Sequence, residues 1–408
     1  MSSLGTLRAA LLPVFAACAL VGGYAGMYMS GVNGAIESSK NSAGRAVDPY
    51  ISGGVHPFKN SYTGIRAIDD TLLVLVPFFA YILDTPQSWG IRVSFWYLMI
   101  NFFAATSVIF LEGQRRGNAG RLVSWVGTVG FIFQNISYTI AGPIWTALYL
   151  FTSPIASPSV TANDVLPSDA LEPKTLLLSN FLAYAVPAIG MLLPAHSVVS
   201  AETHYNWIAT WQFFPVLYAI SQFIFTRAFF TLGLFGSSSS KPQTGRSTLS
   251  TAVVYRTVLL ITVTTHLTLL AVALTPATAI PAGWLPTLAK VFREVTFKSA
   301  FIPPDIFSPP SVDPKTIPAD KLAPLTHFFL MWDVNIGNFA LLLWAVYLRL
   351  VAGGEKGEEF SWTGVLTKTA GWSAVGGPIA AVAALLWERD EVLVRRAGHA
   401  GVGGKKRL

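Results

Sequence analysis

The chain is predicted to fold as an all-α, polytopic transmembrane bundle with eight or nine spans, and three observations predict it. Of 408 residues, 52% are hydrophobic, with a mean hydropathy of +0.51. Only 12% are charged, roughly half the share of an ordinary soluble domain. Nine apolar segments follow one another, each near or above the ~20 residues that carry a helix across a bilayer core.

The first segment, 7–28, shares the look of a signal peptide: Arg8, an apolar stretch, then Gly22, Gly23, Ala25 and Gly26. Its apolar part exceeds a signal h-region and no A-x-A site follows, so a retained helix is expected. Segments 66–83 and 93–111 come next. Segment 122–151 holds the mid-span polar run Gln134, Asn135, Ser137 and Tyr138, and Pro143, which lacks an N–H and bends a helix. Segment 175–195 precedes 207–232, where Trp207, Trp211, Phe214 and Tyr218 form a stripe at helical spacing. Segment 252–274 contains His266, and 327–350 contains Asp333. The last, 369–387, is weakened by Gly376-Gly377-Pro378, although small residues such as Gly377 and Ala381 also permit close helix packing in lipid.

Residues 1–408 read as one transmembrane domain. Loop 29–65 is rich in Gly, Ser and Asn, 152–174 in Pro and Ser, and 236–247 is a Ser-rich solvent loop. The Pro-rich loop 275–326 also carries Phe292, Phe297, Phe301 and Phe307, and is expected to cap the bundle; 388–408 reads as a basic tail. Orientation signals conflict. Arg115, Arg116 and Arg121 mark one loop as cytoplasmic, and Arg227, Lys241 and Arg246 mark another, three crossings away. One segment must be re-entrant, or one cluster must break the rule.

Several chemistries are excluded. The net charge of +7 falls in loops and tail, without a basic stripe interleaved with aromatics, so nucleic acid is not an expected partner. Cys18 stands alone, which rules out intrachain disulfides and thiolate metal sites. The six histidines make no HxxxH or HExxH, and no nucleotide-binding glycine loop occurs. Asp69-Asp70 is followed by Thr71-Leu72-Leu73, an incomplete DDxxD, so a magnesium–diphosphate substrate has no evident seat. Neither a metal site nor a cofactor is expected.

The chemistry that remains centres on Asp333. A charge inside a span is costly and marks a functional site by default. Phe329, Asp333, Gly337 and Ala340 share one helical face, with Gly337 expected to leave an opening beside the carboxyl. In apolar surroundings a carboxyl favours its neutral, proton-donating form, as a general acid requires. Asn335 and Asn338 are placed to orient it. Glu202 is the second candidate acid. Gln134, Asn135, Tyr138 and His266 are candidate polar contacts, and Trp211 and Trp332 candidate π faces, since aromatics make up 13% of the chain. The residues alone suit an enzyme acting on a lipophilic substrate, a carrier for one with Asp333 as the coupling group, or a scaffold.

Three stretches carry a resemblance. They are Phe133-Gln134-Asn135 through Tyr138 and Pro143 to Pro154; Trp207 to Pro215; and Phe301-Ile302-Pro303-Pro304 with Phe329 to Trp344. Together they resemble fungal integral-membrane terpene cyclases of ascochlorin and ascofuranone biosynthesis. The resemblance implies an enzyme that protonates a terminal epoxide on a prenylated aromatic and cyclises it without metal. The family offers no catalytic motif to carry across; on the physical grounds above, Asp333 would act as acid, Gln134, Asn135 and Tyr138 would position the oxygen or its acid, and Trp211 and Trp332 would shield the cation. The expected partners are the lipid bilayer, a lipophilic prenylated small molecule and neighbouring pathway enzymes, at the endoplasmic reticulum membrane.

Overall fold

The computed structural model describes residues 3–24, 59–84, 88–195, 197–234, 244–280, 283, 285–308, 319–354 and 361–404. Residues 236–243 of the expected solvent loop, most of loop 29–65, residues 309–318 of the capping loop and the last residues of the tail lie outside them, whereas 244–247, expected in that solvent loop, begin a helix. Helices build the architecture, and among the described residues there is no strand beyond two isolated bridges. The longer ones, in order, are α1 (Ser3–Gly23), α2 (Arg66–Asp84), α3 (Trp89–Gly113), α4 (Val126–Ile136), α5 (Tyr138–Thr152), α6 (Glu172–Asn180), α7 (Ala201–Gln212), α8 (Phe214–Thr231), α9 (Thr244–Leu274), α10 (Pro286–Glu294), α11 (Ala319–Gly353) and α12 (Trp362–Gly404).

Five of these are long and apolar enough to cross a membrane: α1, α3, and the apolar parts of α9, α11 and α12; a sixth exists if α7 and α8, bent by 72°, form one span. The expectation of eight or nine spans is therefore too high, and local breaks explain the difference. Segment 122–151 is interrupted at Ser137, whose φ of 82° lies in the left-handed region, leaving pieces of 11 and 15 residues. Segment 175–195 passes through a π-turn at Phe181–Ala185 just before Pro187. Segment 207–232 bends at Phe213, where Pro215 supplies no N–H to the preceding turn. Segment 66–83 opens on Asp69, which is drawn back to accept bonds from the Ser61 hydroxyl (2.6 Å) and the backbone N–H of Thr63 (2.8 Å) and Gly64 (3.0 Å). The glycines of the last segment do not stop it. Gly377 adopts φ 75° and kinks α12, and a Cβ there would lie 2.9 Å from the Tyr97 hydroxyl.

The first helix is packed into the bundle. It lies against α5 and α11, and a Cβ on Gly22 would come 1.7 Å from Thr139 Oγ1. Residues 286–304 sit at the N-terminal end of α3. The Trp89 N–H donates to Glu294 Oε2 (2.7 Å), Phe301 packs edge-on to Tyr97 (5.4 Å), and the Trp332 indole donates to the Pro304 carbonyl (3.1 Å). Phe307, by contrast, is 83% exposed.

At the C-terminal end of α3, four charged side chains meet out of water. Arg389 donates to both oxygens of Glu112 (2.7 and 2.9 Å) and to Asp390 (2.7 Å). Arg115 bonds Glu112 (3.1 Å) and Asp390 (2.6 Å). Tyr149 donates to Glu112 (2.6 Å), and Tyr255 receives a bond from Arg115 (2.7 Å). Two acids balance two bases. Arg115, read from sequence as a loop charge, is thus buried in a pairing site and is a poor orientation signal; the parity conflict also presumed crossings that break at Ser137 and Phe181. Residues 388–404 continue α12, with Arg389 and Asp390 buried.

With at least five apolar helices of spanning length, the protein is expected to stay in the pellet after an alkaline carbonate wash of membranes. Folded protein in the supernatant would contradict this architecture.

Candidate active site

The break at Ser137 builds the site. It ends α4 and starts α5 in mid-bundle, so the unpaired N–H groups of a helix N-terminus face α11 instead of water. Asp333 of α11 meets them. Its Oδ1 accepts from the Ser137 hydroxyl (2.7 Å) and from the Thr139 N–H (2.8 Å). A carboxyl from one helix therefore caps another, a favourable placement at the positive end of the helix dipole. The carboxyl is 9% exposed. A non-glycine residue at positive φ carries a strain of order 1–3 kcal/mol, and here the strained residue is the one that holds the acid.

Tyr138 fills the space between. Its ring lies on Gly337, where a Cβ would come within 2.3 Å of Cε1, and its hydroxyl donates to Asn338 Oδ1 (3.3 Å). The opening expected beside Gly337 is thus occupied by the Tyr138 ring. Only glycine lets the ring lie this close to the α11 backbone.

A cavity of about 130 Å³ lies against Asp333. Its walls are Phe78 and Phe79 of α2, Phe95 and Phe102 of α3, Tyr138, Trp211 and Phe329, with aliphatic Val74, Leu75, Leu98 and Val334 between them. The rings brace one another edge to face: Phe78 on Phe329 (5.5 Å), Phe79 on Trp211 (5.1 Å) and Phe102 against Tyr138 (5.0 Å). Ring faces and edges at these separations are held rigid by packing. Polar groups are few. Gln134 Nε2 donates to Gln212 Oε1 (3.4 Å), and Asn135 donates to the Phe131 carbonyl (2.7 Å). The Trp211 indole N–H is buried and has no partner among the described residues.

The structure thus brings together Asp333, Gln134, Asn135, Tyr138 and Trp211 from the sequence-derived set. Four others lie elsewhere. Glu202 is exposed and paired with Lys59 (3.0 Å), because the chain enters α7 at the surface. His266 bonds the Tyr97 hydroxyl (2.7 Å) beside the Gly377 kink. Trp332 points to Pro304, and Asn335 bonds its own helix at the Met331 carbonyl (2.7 Å), so neither shields nor orients the acid. The orienting donors are Ser137 and Thr139; neither of them, nor the lining residues Phe78, Phe79, Phe102 and Gln212, stands among the sequence-derived site residues. The polar cluster around Ser137 was the available signal for the first two; the phenylalanines carried none beyond being apolar.

Away from Asp333, a second cavity of about 520 Å³ opens near the end of α3. There burial and the neighbouring Asp169 push the Glu172 carboxyl up to about 7. Among the described residues no three His, Cys, Asp or Glu side chains converge to hold a metal ion.

Residues 7–394 match the CtvD domain family. Terpene cyclase ascI of Acremonium egyptiacum is 26% identical over 359 residues, 87% of this chain and 86% of its own length. Terpene cyclase ctvD of Aspergillus terreus is 25% identical over 384 residues, 94% of this chain and 99% of its own. No solved structure matches the chain.

Proposed function

Since the chain belongs to the CtvD domain family, whose matched relatives are named terpene cyclases, we propose that it is a membrane-embedded terpene cyclase that opens the epoxide of a prenylated, meroterpenoid-type substrate by protonation. The observation that carries the reading is the pairing of one buried acid with an aromatic cavity. Asp333 delivers its proton to the epoxide oxygen, which becomes a hydroxyl as its bond to the more substituted carbon breaks. A nearby alkene or oxygen supplies the electron pair that closes the ring. The resulting cation loses a proton, so the product is an isomer of the substrate and the carboxyl is restored.

Each step has its group. The Ser137 hydroxyl and the Thr139 N–H hold Oδ1 and stabilise the carboxylate after the proton leaves. With Oδ1 so engaged, the proton belongs on Oδ2. The rings of Phe78, Phe79, Phe102 and Trp211 face the developing positive charge, where a desolvated cation–π contact contributes about 2 kcal/mol or more. The Trp211 N–H, without a partner among the described residues, is a donor available to a substrate oxygen. Gly337 holds Tyr138 against α11 and so shapes the floor.

The mechanism asks for a proton donor and a dry pocket, and for neither a divalent metal nor a redox cofactor. Membranes containing the protein are expected to convert an epoxy-prenyl aromatic into a cyclic isomer with excess EDTA and without NAD(P)H. Loss of product under EDTA that Mg²⁺ restores would point back to Asp69 and Asp70 as ligands and overturn the scheme.

A further inference from the structure

A third cavity, of about 600 Å³, lies on the same helices as the cavity at Asp333. Along α2 the first cavity takes Phe78 and Phe79 and this one takes Ile82 to Asp84; along α7 this one takes His204 and the first takes Trp211 and Gln212. On α3 it takes Arg92 and Trp96, while the first takes Leu98 to Phe102. Phe95, 1% exposed, lines both. The two spaces are therefore stacked end to end between the same three helices, with one phenylalanine as the partition. From Arg92 to Phe102 the α3 axis advances about 15 Å.

Their chemistry differs. The cavity at Asp333 is small and walled by rings, whereas the upper one is larger and contains three ionisable side chains. Two of these lie side by side: His204 Nε2 is 3.0 Å from Asp84 Oδ1, close enough for an ion pair when the imidazole is protonated but not aligned as a hydrogen bond. Arg92 is left over. Among the described residues its guanidinium has neither an ion pair nor a hydrogen bond, its Nε is shielded from solvent, and its one neighbour of note is the Trp89 ring at 5.6 Å. A cation held beside a ring, with a buried Nε–H unmet, is suited to a planar, oxygen-rich anion, because the guanidinium fork matches two acceptor oxygens at once.

We propose that the upper cavity seats the aromatic head of the substrate, that this head carries a carboxylate or an ionised phenol, and that Arg92 binds it while the prenyl chain passes Phe95 to reach Asp333. This rests on the cyclisation reading for the identity of the chain, but the head-group site can be tested apart from it. Arg92 is a specificity-determining residue, distant from the reacting atoms. It fixes which end of the molecule stays outside the ring-walled cavity and so brings the far, epoxide end to the acid.

The test compares two epoxides of equal chain length, one with the acidic aromatic head and one with its acidic oxygens methylated. Wild type is expected to prefer the acidic head in kcat/KM. In Arg92→Met, which keeps the stem without the fork, the ratio between the two substrates should fall about tenfold or more, mainly through KM, and Arg92→Lys should restore part of it. An equal loss on both substrates, or an unchanged ratio, overturns the proposal. Direct binding gives the second arm, using radiolabelled head-bearing compound that lacks the epoxide. Arg92→Met should weaken its binding by a similar factor even if no epoxide is turned over, which would sink the cyclisation mechanism and leave the head-group site standing. Wild-type binding that is competed away by anionic lipid and is indifferent to the aromatic ring would mean a lipid site instead, and would overturn the assignment.

Discussion

Asp333→Asn should lower turnover by about 10²–10⁴-fold, the range that a positioned general acid contributes, while the protein remains folded in the membrane. The reasoning is geometric. The amide oxygen can still accept from the Ser137 hydroxyl and the Thr139 N–H, so the cap on α5 survives and only the proton is lost. Substrate affinity should change much less than kcat, since the altered group acts in the transition state. Glu391→Gln, on the exposed face of α12, is the matched control for removing a carboxylate. Product analysis and detergent-solubilised chromatography decide the matter together. Full turnover by Asp333→Asn would remove the acid from this site and with it the proposed mechanism.

A second large effect belongs to stability. Glu112→Gln should destabilise the fold by about 3–5 kcal/mol, the usual cost of leaving a buried charge without its partner. Arg389 and Arg115 both lean on this carboxylate, and all three side chains are within 1% of full burial. The double change Glu112→Gln with Arg389→Met should recover part of the loss, because it removes the orphaned cation as well. Thermal unfolding of the purified protein in detergent reads both. A single substitution that unfolds like wild type would mean that the cluster is wet or loosely paired. The cluster lies at the α3 end away from Arg92, so it bears on α3, α5, α9 and α12 staying together and not on the chemistry.

The acid was legible because burial in an apolar run is a local property: Asp333 stands out from its neighbours in any window of sequence. Gln134, Asn135, Tyr138 and Trp211 were legible for a related reason, as polar or amphipathic groups where a lipid-facing helix has little use for them. Trp332 and Asn335 show the limit. Both flank the acid in sequence, yet helical geometry turns them away, Trp332 to Pro304 and Asn335 to its own backbone. Glu202 satisfied the chemistry of an acid but not its burial, which depends on where α7 begins. The phenylalanines of α2 and α3 were invisible as site residues, because a core ring and a cavity ring are the same in sequence.

By itself, the sequence determined the all-helical class with helices apolar enough to cross a membrane, the solitary acid and the kinship with terpene cyclases, since hydropathy, composition and sequence similarity are read along the chain. The tertiary structure alone decided how many segments are unbroken, which donors hold Asp333, and that Arg115 is buried while Arg92 has no partner among the described residues. Those outcomes depend on encounters between distant residues: Ser137 and Asp333 are 196 positions apart, and Arg389 and Glu112 are 277 apart. A hydrogen bond or an ion pair acts over a few ångströms of space, and nothing in a linear window records which two helices are brought that close.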